Sequence, residues 1–221
     1  MRGGSLHKMM KGMKEMREEI RKAGEYEIRQ AIRIGESEIV YGENLKAAPD
    51  SKYLCAYCTK NDIFASYDQC LVSDDYLEIM QIFCERVLGQ VEQQRGAQSQ
   101  LSPEMLALVT AAQCYPHDYG QDITDKVVAI CADALRPEFA HAAHQLVYVT
   151  GGSGAQANSR GTKVYFKNLY DGKEGYYRRH TVLGVVKAEA LPEWAKEGLA
   201  KIQAEKENGI PKPKPKNRDD R

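Results

Sequence analysis

The sequence predicts an α+β fold that is mostly helical in its N-terminal and central parts, with short strands, a C-terminal antiparallel β-hairpin, a closing helix and a disordered tail. Three observations support this prediction. Apolar residues recur at helical spacing near the N-terminus and in the middle of the chain. Polar and apolar residues alternate from Lys163 to Asn168 and again after a glycine-containing turn, as in paired strands. Proline and lysine alternate from Pro211 to Lys216, which favours an extended, unpacked tail.

The composition is that of a globular protein. Hydrophobic residues make up 43% of the 221 residues, and 31 basic residues balance 31 acidic ones. We expect an N-terminal amphipathic helix (1–34), one α+β domain (35–207) and a Pro/Lys tail (208–221). No apolar run approaches the ~20 residues of a membrane span, and the N-terminus lacks a secretory pattern. The sequence therefore predicts a cytoplasmic protein without a membrane partner, with its six cysteines reduced.

The N-terminal segment is predicted to form one helix over residues 7–34. Its apolar stripe consists of Met9, Met13, Met16 and Ile20, at spacings of four, three and four. Methionine side chains adapt to irregular surfaces, so this stripe could join two copies of the chain in a homodimer. The alternative is that the helix packs on its own domain.

The central elements are predicted from caps and periodicity. Short strands are expected at 37–41, 53–57 and 147–150. Helices are expected at 73–94, from Ser102, at 123–135, briefly after Pro137, and from Leu191 to about Glu207. The residues from 151 to 161 are glycine-rich and lack a following helix, so they favour a flexible loop over a phosphate-binding turn.

Two pairs of residues have metal-ligand spacing. Cys55 and Cys58 form a C-x2-C pair, and His141 and His144 lie three apart on an expected helix. Together they could bind zinc, or the cysteines could form a redox dithiol. The alternative is that the cysteines are buried hydrophobes and no cofactor is bound. No catalytic motif is present, so an enzyme is less expected than a binding protein.

The β-hairpin predicted over residues 163–186 is the strongest candidate binding site. From Arg160 to Lys187 there are seven basic and two acidic residues, a local charge of +5 in a neutral chain. Tyrosines interleaved with cations suit single-stranded nucleic acid, whose bases stack on rings while phosphates meet the charges. The alternative is an edge hairpin protected from aggregation by its charges. The predicted binding residues are Arg160, Lys163, Tyr165, Lys167, Tyr176, Arg178, Arg179 and His180.

Several short strings resemble one family. The strings resemble an uncharacterised cargo-protein family of conjugative and other mobile elements in gut Gram-positive bacteria, and they lie at residues 58–62, 64–65, 70, 73–78, 159–161, 169–172 and 191–195. The resemblance spans about residues 35–205 and carries no catalytic residue with it. Such elements encode anti-defence proteins, including anti-CRISPR inhibitors of Cas9, so the resemblance implies a possible Cas nuclease partner.

The leading hypothesis from the sequence is a non-enzymatic accessory or anti-defence protein of a mobile element. It would bind nucleic acid or a nucleoprotein through the basic hairpin. The alternatives are a small zinc- or thiol-dependent protein that uses the C-x2-C and H-x2-H pairs, and a protein-interaction module without nucleic-acid contact.

Overall fold

The computed structural model describes residues 21–60 and 64–208. The chain divides into two compact units, the first extending to Ala97 and the second beginning at Gln98. The single domain predicted over residues 35–207 stays a prediction, because two compact units can still fold as one cooperative domain.

The first unit is a five-stranded antiparallel meander followed by a helix. Its sheet order follows the chain order, from β1 to β5. The strands are β1 (Lys22–Ala23), β2 (Tyr26–Ile34), β3 (Ser37–Glu43), β4 (Tyr53–Lys60) and β5 (Ala65–Ser73), and the helix α1 is Tyr76–Ser99. Gly35 makes the β2–β3 turn with a φ of +59°, in the left-handed region that glycine tolerates best.

Both faces of the first sheet are buried at its central strands, β3 and β4. On one face, Ile79 and Phe83 of α1 pack against Ile39, Tyr41 and Cys55. The opposite face buries a second cluster, formed by Ala23, Val40, Leu54, Ala56 and Cys58. The sheet therefore has two separate cores, and the parity of a position decides which core its side chain enters.

A polar cluster holds the two ends of this sheet together. The Arg21 guanidinium, just before β1, donates to Glu38 at 2.6 Å, to the Tyr67 hydroxyl of β5 at 3.0 Å and to the Cys58 sulfur at 2.8 Å. The hydrogen bond from Arg21 lowers the pKa of Glu38. The cluster thus links β1 to β5 across the intervening strands.

The second unit contains another five-stranded antiparallel sheet, in the order β10-β6-β7-β8-β9. The strands are β6 (Val127–Ile130), β7 (Leu146–Gly151), β8 (Lys163–Asn168), β9 (Glu174–Arg178) and β10 (Val182–Val185). The helices are α2 (Pro103–Leu106), α3 (Ala142–Gln145) and α4 (Glu193–Asn208), with five short 3₁₀ turns between elements. None of the helices in the described ranges is long and apolar enough to cross a membrane.

Helix α4 and the loops cover opposite faces of the second sheet. Ala195 and Ile202 of α4 belong to the same core as Leu146 and Tyr148. The other face buries valines of β6, β7 and β8 beneath the loop residues Ile123 and Ala155. Because α4 covers only part of its face, the β8–β9 end of the sheet stays exposed.

The predicted fold class is wrong. The protein is built on two antiparallel five-stranded sheets and is not mostly helical. Residues 26–34, expected to be helical, form β2, which pairs with β3 from Glu27 to Ile34. A register shift after Ile28 leaves Ile28 packed against the core that contains Val40, whereas Ile32 pairs with Ile39. Residues 127–130, also expected to be helical, form β6. The predicted dimer stripe, Met9 to Ile20, lies outside the described residues.

Other predicted elements are confirmed. The strands expected at 37–41 and 53–57 are β3 and β4. The hairpin expected over residues 163–186 is present as β8–β9 and ends at Arg178, because β10 pairs with β6 at the opposite edge of the sheet. The helix expected at 73–94 is α1, which continues to Ser99 through the Gln-rich segment. The closing helix is α4.

Candidate nucleic-acid interface

The register of the β8–β9 hairpin determines which side chains share its exposed face. Lys163 pairs with Arg178, Tyr165 with Tyr176, and Lys167 with Glu174. Cross-strand partners point to the same side of a sheet. These six residues form one surface, which we call the tyrosine face. The opposite side of the hairpin carries Phe166 stacked on Tyr177, with ring centroids 4.8 Å apart.

Two aromatic rings form the centre of the tyrosine face. The centroids of Tyr165 and Tyr176 are 6.2 Å apart with an interplanar angle of 71°. Tyr165 is 47% exposed and Tyr176 is 40% exposed. The Lys163 ammonium lies 4.5 Å from the Tyr176 ring centroid, a cation–π contact that positions the charge beside the rings. The arrangement combines ring surface with positive charge at the solvent boundary.

A cleft of about 520 Å³ opens beside the two tyrosines. Its walls are Thr150, Gly151, Gly152, Tyr165, Phe166, Glu174, Gly175 and Tyr176. We call it the tyrosine cleft. Gly152 has a φ of +108°, and a Cβ there would collide with the Lys163 carbonyl oxygen. Glycine at this position lets the β7–β8 connection lie directly against β8.

Several cations counted in the local charge are already engaged. Lys167 binds Glu205 of α4 at 2.7 Å and lies 3.6 Å from Glu174. The hydrogen bond to Glu205 raises the pKa of Lys167. Lys173 pairs with Asp171 at 3.3 Å. The cations that remain beside the rings of the tyrosine face are therefore Lys163 and Arg178.

Arg179 does not belong to the exposed surface. It is buried at 3% exposure, in the 3₁₀ turn after β9. Its guanidinium donates to four backbone carbonyls, those of Asp118, Gln121, Gly154 and Ala155, at 2.7 to 3.3 Å. Burial lowers the pKa of Arg179. Arg179 was predicted to bind nucleic acid. In the structure its guanidinium instead links two loops, 118–121 and 154–155, by hydrogen bonds to their carbonyls.

The other two predicted binding residues lie beside the hairpin. His180 is exposed but sits in the 3₁₀ turn rather than on the strand face. Arg160 is exposed on the loop that leads into β8. Backbone hydrogen bonds hold that loop at one end, from Gly154 to Lys163 at 2.7 Å and from Ile123 to Ala155 at 2.9 Å.

The structure does not bring Cys55 and Cys58 together. They occupy positions i and i+3 of β4, so their side chains point to opposite faces and enter different cores. Burial raises the pKa of both thiols, which disfavours the thiolate that metal binding and nucleophilic attack require.

The two histidines do lie together. The ring centroids of His141 and His144 are 4.9 Å apart. His141 is buried, and its Nδ1 lies 3.1 Å from the Met105 carbonyl oxygen, which can only accept, so Nδ1 carries the proton. No cluster of three or more His, Cys, Asp or Glu suited to a metal ion occurs in the ranges 21–60 and 64–208.

We expect His141 to make stability depend on pH. Burial lowers the pKa of its imidazole below the value in the unfolded chain, near 6.5. The stabilisation from the neutral ring is complete above that pH and declines as the pH falls through the lower, folded-state pKa. The free energy of unfolding in urea should drop by roughly 1 kcal/mol between pH 7.5 and 5.5.

The His141→Gln variant tests this expectation, because an amide keeps a donor for Met105 and does not titrate. Its unfolding free energy should change less over the same pH range than that of the parent protein. Equal changes in the two proteins would exclude His141 as the source. His117, whose pKa burial also lowers, contributes to both proteins alike.

The sequence had indicated the tyrosine face but not the cleft beside it. Thr150 and Glu174 lie 24 positions apart, and only the pairing of β7, β8 and β9 brings them to one site. Comparison with protein-family models, with curated proteins and with solved structures found no match.

Proposed function

We propose that the protein binds single-stranded nucleic acid, with bases stacked on Tyr165 and Tyr176. The observation that carries this proposal is the pairing of two exposed tyrosines on adjacent strands, next to the paired cations Lys163 and Arg178. Ring faces accept any base, and the two cations, which lie on one side of the rings, meet the phosphates there. Both rings project from paired strands, so their backbone is already ordered before binding, which lowers the entropy cost.

The formal charge of the whole chain is zero, so the proposed surface is a local one. Two cations beside two rings suit a short stretch of unpaired nucleotides better than a duplex, whose bases are not available for stacking. A duplex binder would need a longer row of phosphate contacts.

Binding to labelled ten-nucleotide single strands of RNA and DNA, followed by fluorescence anisotropy, tests the proposal. The double variant Tyr165→Ala/Tyr176→Ala should bind roughly 100-fold more weakly, because each stacked base contributes ~1–3 kcal/mol. Tyr115→Ala is the matched control, since Tyr115 is 51% exposed and lies outside the tyrosine face. Absence of binding by the parent protein, or unchanged affinity in the double variant, would refute the proposal.

The contribution of Lys163 and Arg178 is tested separately, by the salt dependence of binding. Replacing Lys163 and Arg178 by glutamine should lower the dependence of log affinity on log salt concentration by about 1.4, because each phosphate of a single strand that a cation neutralises contributes ~0.7 to that slope. A salt slope equal to that of the parent protein would mean that neither cation meets a phosphate.

A second candidate function is protein interaction through the same hairpin. Strand β9 is the outer strand of its sheet, so its outer edge is available to a strand from another protein. This candidate predicts a partner whose binding is insensitive to salt and to the double tyrosine variant. The zinc or thiol alternative has less support, because the two β4 cysteines face apart.

On the resemblance to mobile-element cargo proteins, we further propose that the nucleic acid belongs to a nucleoprotein, of which a Cas nuclease is one candidate. Cleavage of target DNA by Cas9 with increasing amounts of the protein tests this part. Unchanged cleavage at saturating protein would remove Cas9 as the partner and leave the nucleic-acid proposal standing.

A further inference from the structure

The tyrosine cleft contains polar groups that base stacking alone does not use. Glu174 begins β9 and lines the cleft together with Tyr165 and Tyr176. Its side chain is 75% exposed, and its nearest cation, the ammonium of Lys167, lies 3.6 Å away. Glu205 binds the same ammonium at 2.7 Å, so Lys167 is held mainly by α4. The carboxylate of Glu174 can therefore accept hydrogen bonds from a ligand in the cleft.

The position of this carboxylate relative to the rings limits what it can contact. Glu174 and Tyr176 are two residues apart on β9 and share a face, and Tyr165 lies opposite Tyr176. Glu174 therefore lies next to both rings, and a base in the cleft that stacks on one of them can reach its carboxylate. The other side of the cleft is backbone at Gly151 and Gly152, which leaves room for a planar ring.

We infer that the cleft selects guanine, through hydrogen bonds from its Watson–Crick edge to Glu174. This inference rests on the proposed function. Guanine presents two adjacent donors, the N1–H and the N2 amino group, which match the two oxygens of a carboxylate. Uracil presents one donor between two carbonyl oxygens, and adenine and cytosine place a ring-nitrogen acceptor beside their amino group. A carboxylate repels those acceptors, so these bases gain less at Glu174.

The test compares eight-nucleotide uridine strands that carry one central guanine, adenine, cytosine or uracil. The parent protein should bind the guanine strand roughly tenfold more tightly than the uracil strand, the discrimination of one bidentate contact. Inosine, which keeps N1–H and lacks the N2 amino group, should give an intermediate affinity. Because each strand carries at most one guanine, quadruplex formation does not affect the comparison.

The Glu174→Gln variant should bind all four strands within about twofold of one another, because an amide no longer supplies two acceptors. Glu189→Gln is the matched control, since it removes the same charge from an exposed glutamate that does not line the cleft, and it should keep the guanine preference. Equal affinity of the parent protein for all strands overturns the inference but not the proposed function. A guanine preference that survives in Glu174→Gln also overturns it, and absence of any binding refutes the proposed function itself.

Discussion

Replacing Arg179 with methionine is expected to lower the free energy of unfolding of the second unit by roughly 3 kcal/mol. The guanidinium donates to four backbone carbonyls from two loops, of which those of Gly154 and Ala155 are buried, and methionine fills similar volume without any donor. Hydrogen bonds from charged donors stabilise more than neutral ones, and the carbonyls left without partners add a desolvation cost. Methionine also removes the cost of burying the charged guanidinium, and this offsets part of the lost stability. The expected decrease in the free energy of unfolding is therefore well below the sum of four hydrogen bonds.

Arg178→Met is the control for this prediction, because the two residues are neighbours with the same charge. Arg178 is exposed on the tyrosine face, so its replacement should change stability by less than ~0.5 kcal/mol. Urea denaturation followed by tryptophan fluorescence reports on the second unit, which contains Trp194, the single tryptophan of the chain. Equal stabilities of the two variants would show that the four carbonyl bonds do not stabilise the fold.

The two arginines also illustrate what sequence patterns can and cannot separate. Alternation along the strand places Arg178 with Tyr176 and puts Arg179 on the opposite, apolar side. This alternation could have been used to predict that Arg179 is buried and Arg178 exposed. The sequence did not indicate what binds the Arg179 guanidinium. Its acceptors are backbone carbonyls in the segments 118–121 and 154–155, and backbone carbonyls leave no motif in a sequence.

The hairpin was predictable because its signals are local. Alternation with a period of two, a glycine-containing turn and matched strand lengths are all present within residues 163–178. The tyrosine cleft was not predictable, because Thr150 and Glu174 are brought together only by long-range strand pairing. A single sequence carries no local signal for such long-range contacts.

Strand β2 was missed for a different reason. The helix predicted from the N-terminal methionine stripe was extended through residues 26–34, where β2 is interrupted by a register shift after Ile28. The charged residues Glu27, Arg29 and Arg33 suit an exposed strand as well as a helix surface, so composition did not decide between them. In the second unit, the apolar run 127–130 is too short for its periodicity to distinguish a buried strand from a helix.

Gly198→Ala is expected to destabilise the protein although alanine favours helices. Gly198 is buried in α4, where the helix lies against the backbone of Leu169, directly after β8. A Cβ at this position would collide with the Leu169 carbonyl oxygen and lie 3.0 Å from the carbonyl carbon. Because backbone cannot rotate away as a side chain can, either α4 or the β8–β9 turn must move. Overpacking of this kind costs ~1–3 kcal/mol or more, against a gain of ~1 kcal/mol in helix propensity.

Gly89→Ala supplies the contrasting control, because a Cβ there meets no atom within 4 Å and Gly89 also lies inside a helix, α1. It should raise stability by ~0.5–1 kcal/mol, so the same substitution is predicted to act in opposite directions at the two sites. Thermal unfolding monitored by circular dichroism measures the change in melting temperature, which should be negative for Gly198→Ala and positive for Gly89→Ala. If the two units melt separately, each variant should shift the transition of its own unit. Stabilisation by Gly198→Ala would mean that α4 does not approach Leu169 closely.

The same displacement of α4 should also weaken the ion pair between Lys167 and Glu205, which joins the helix to the tyrosine face.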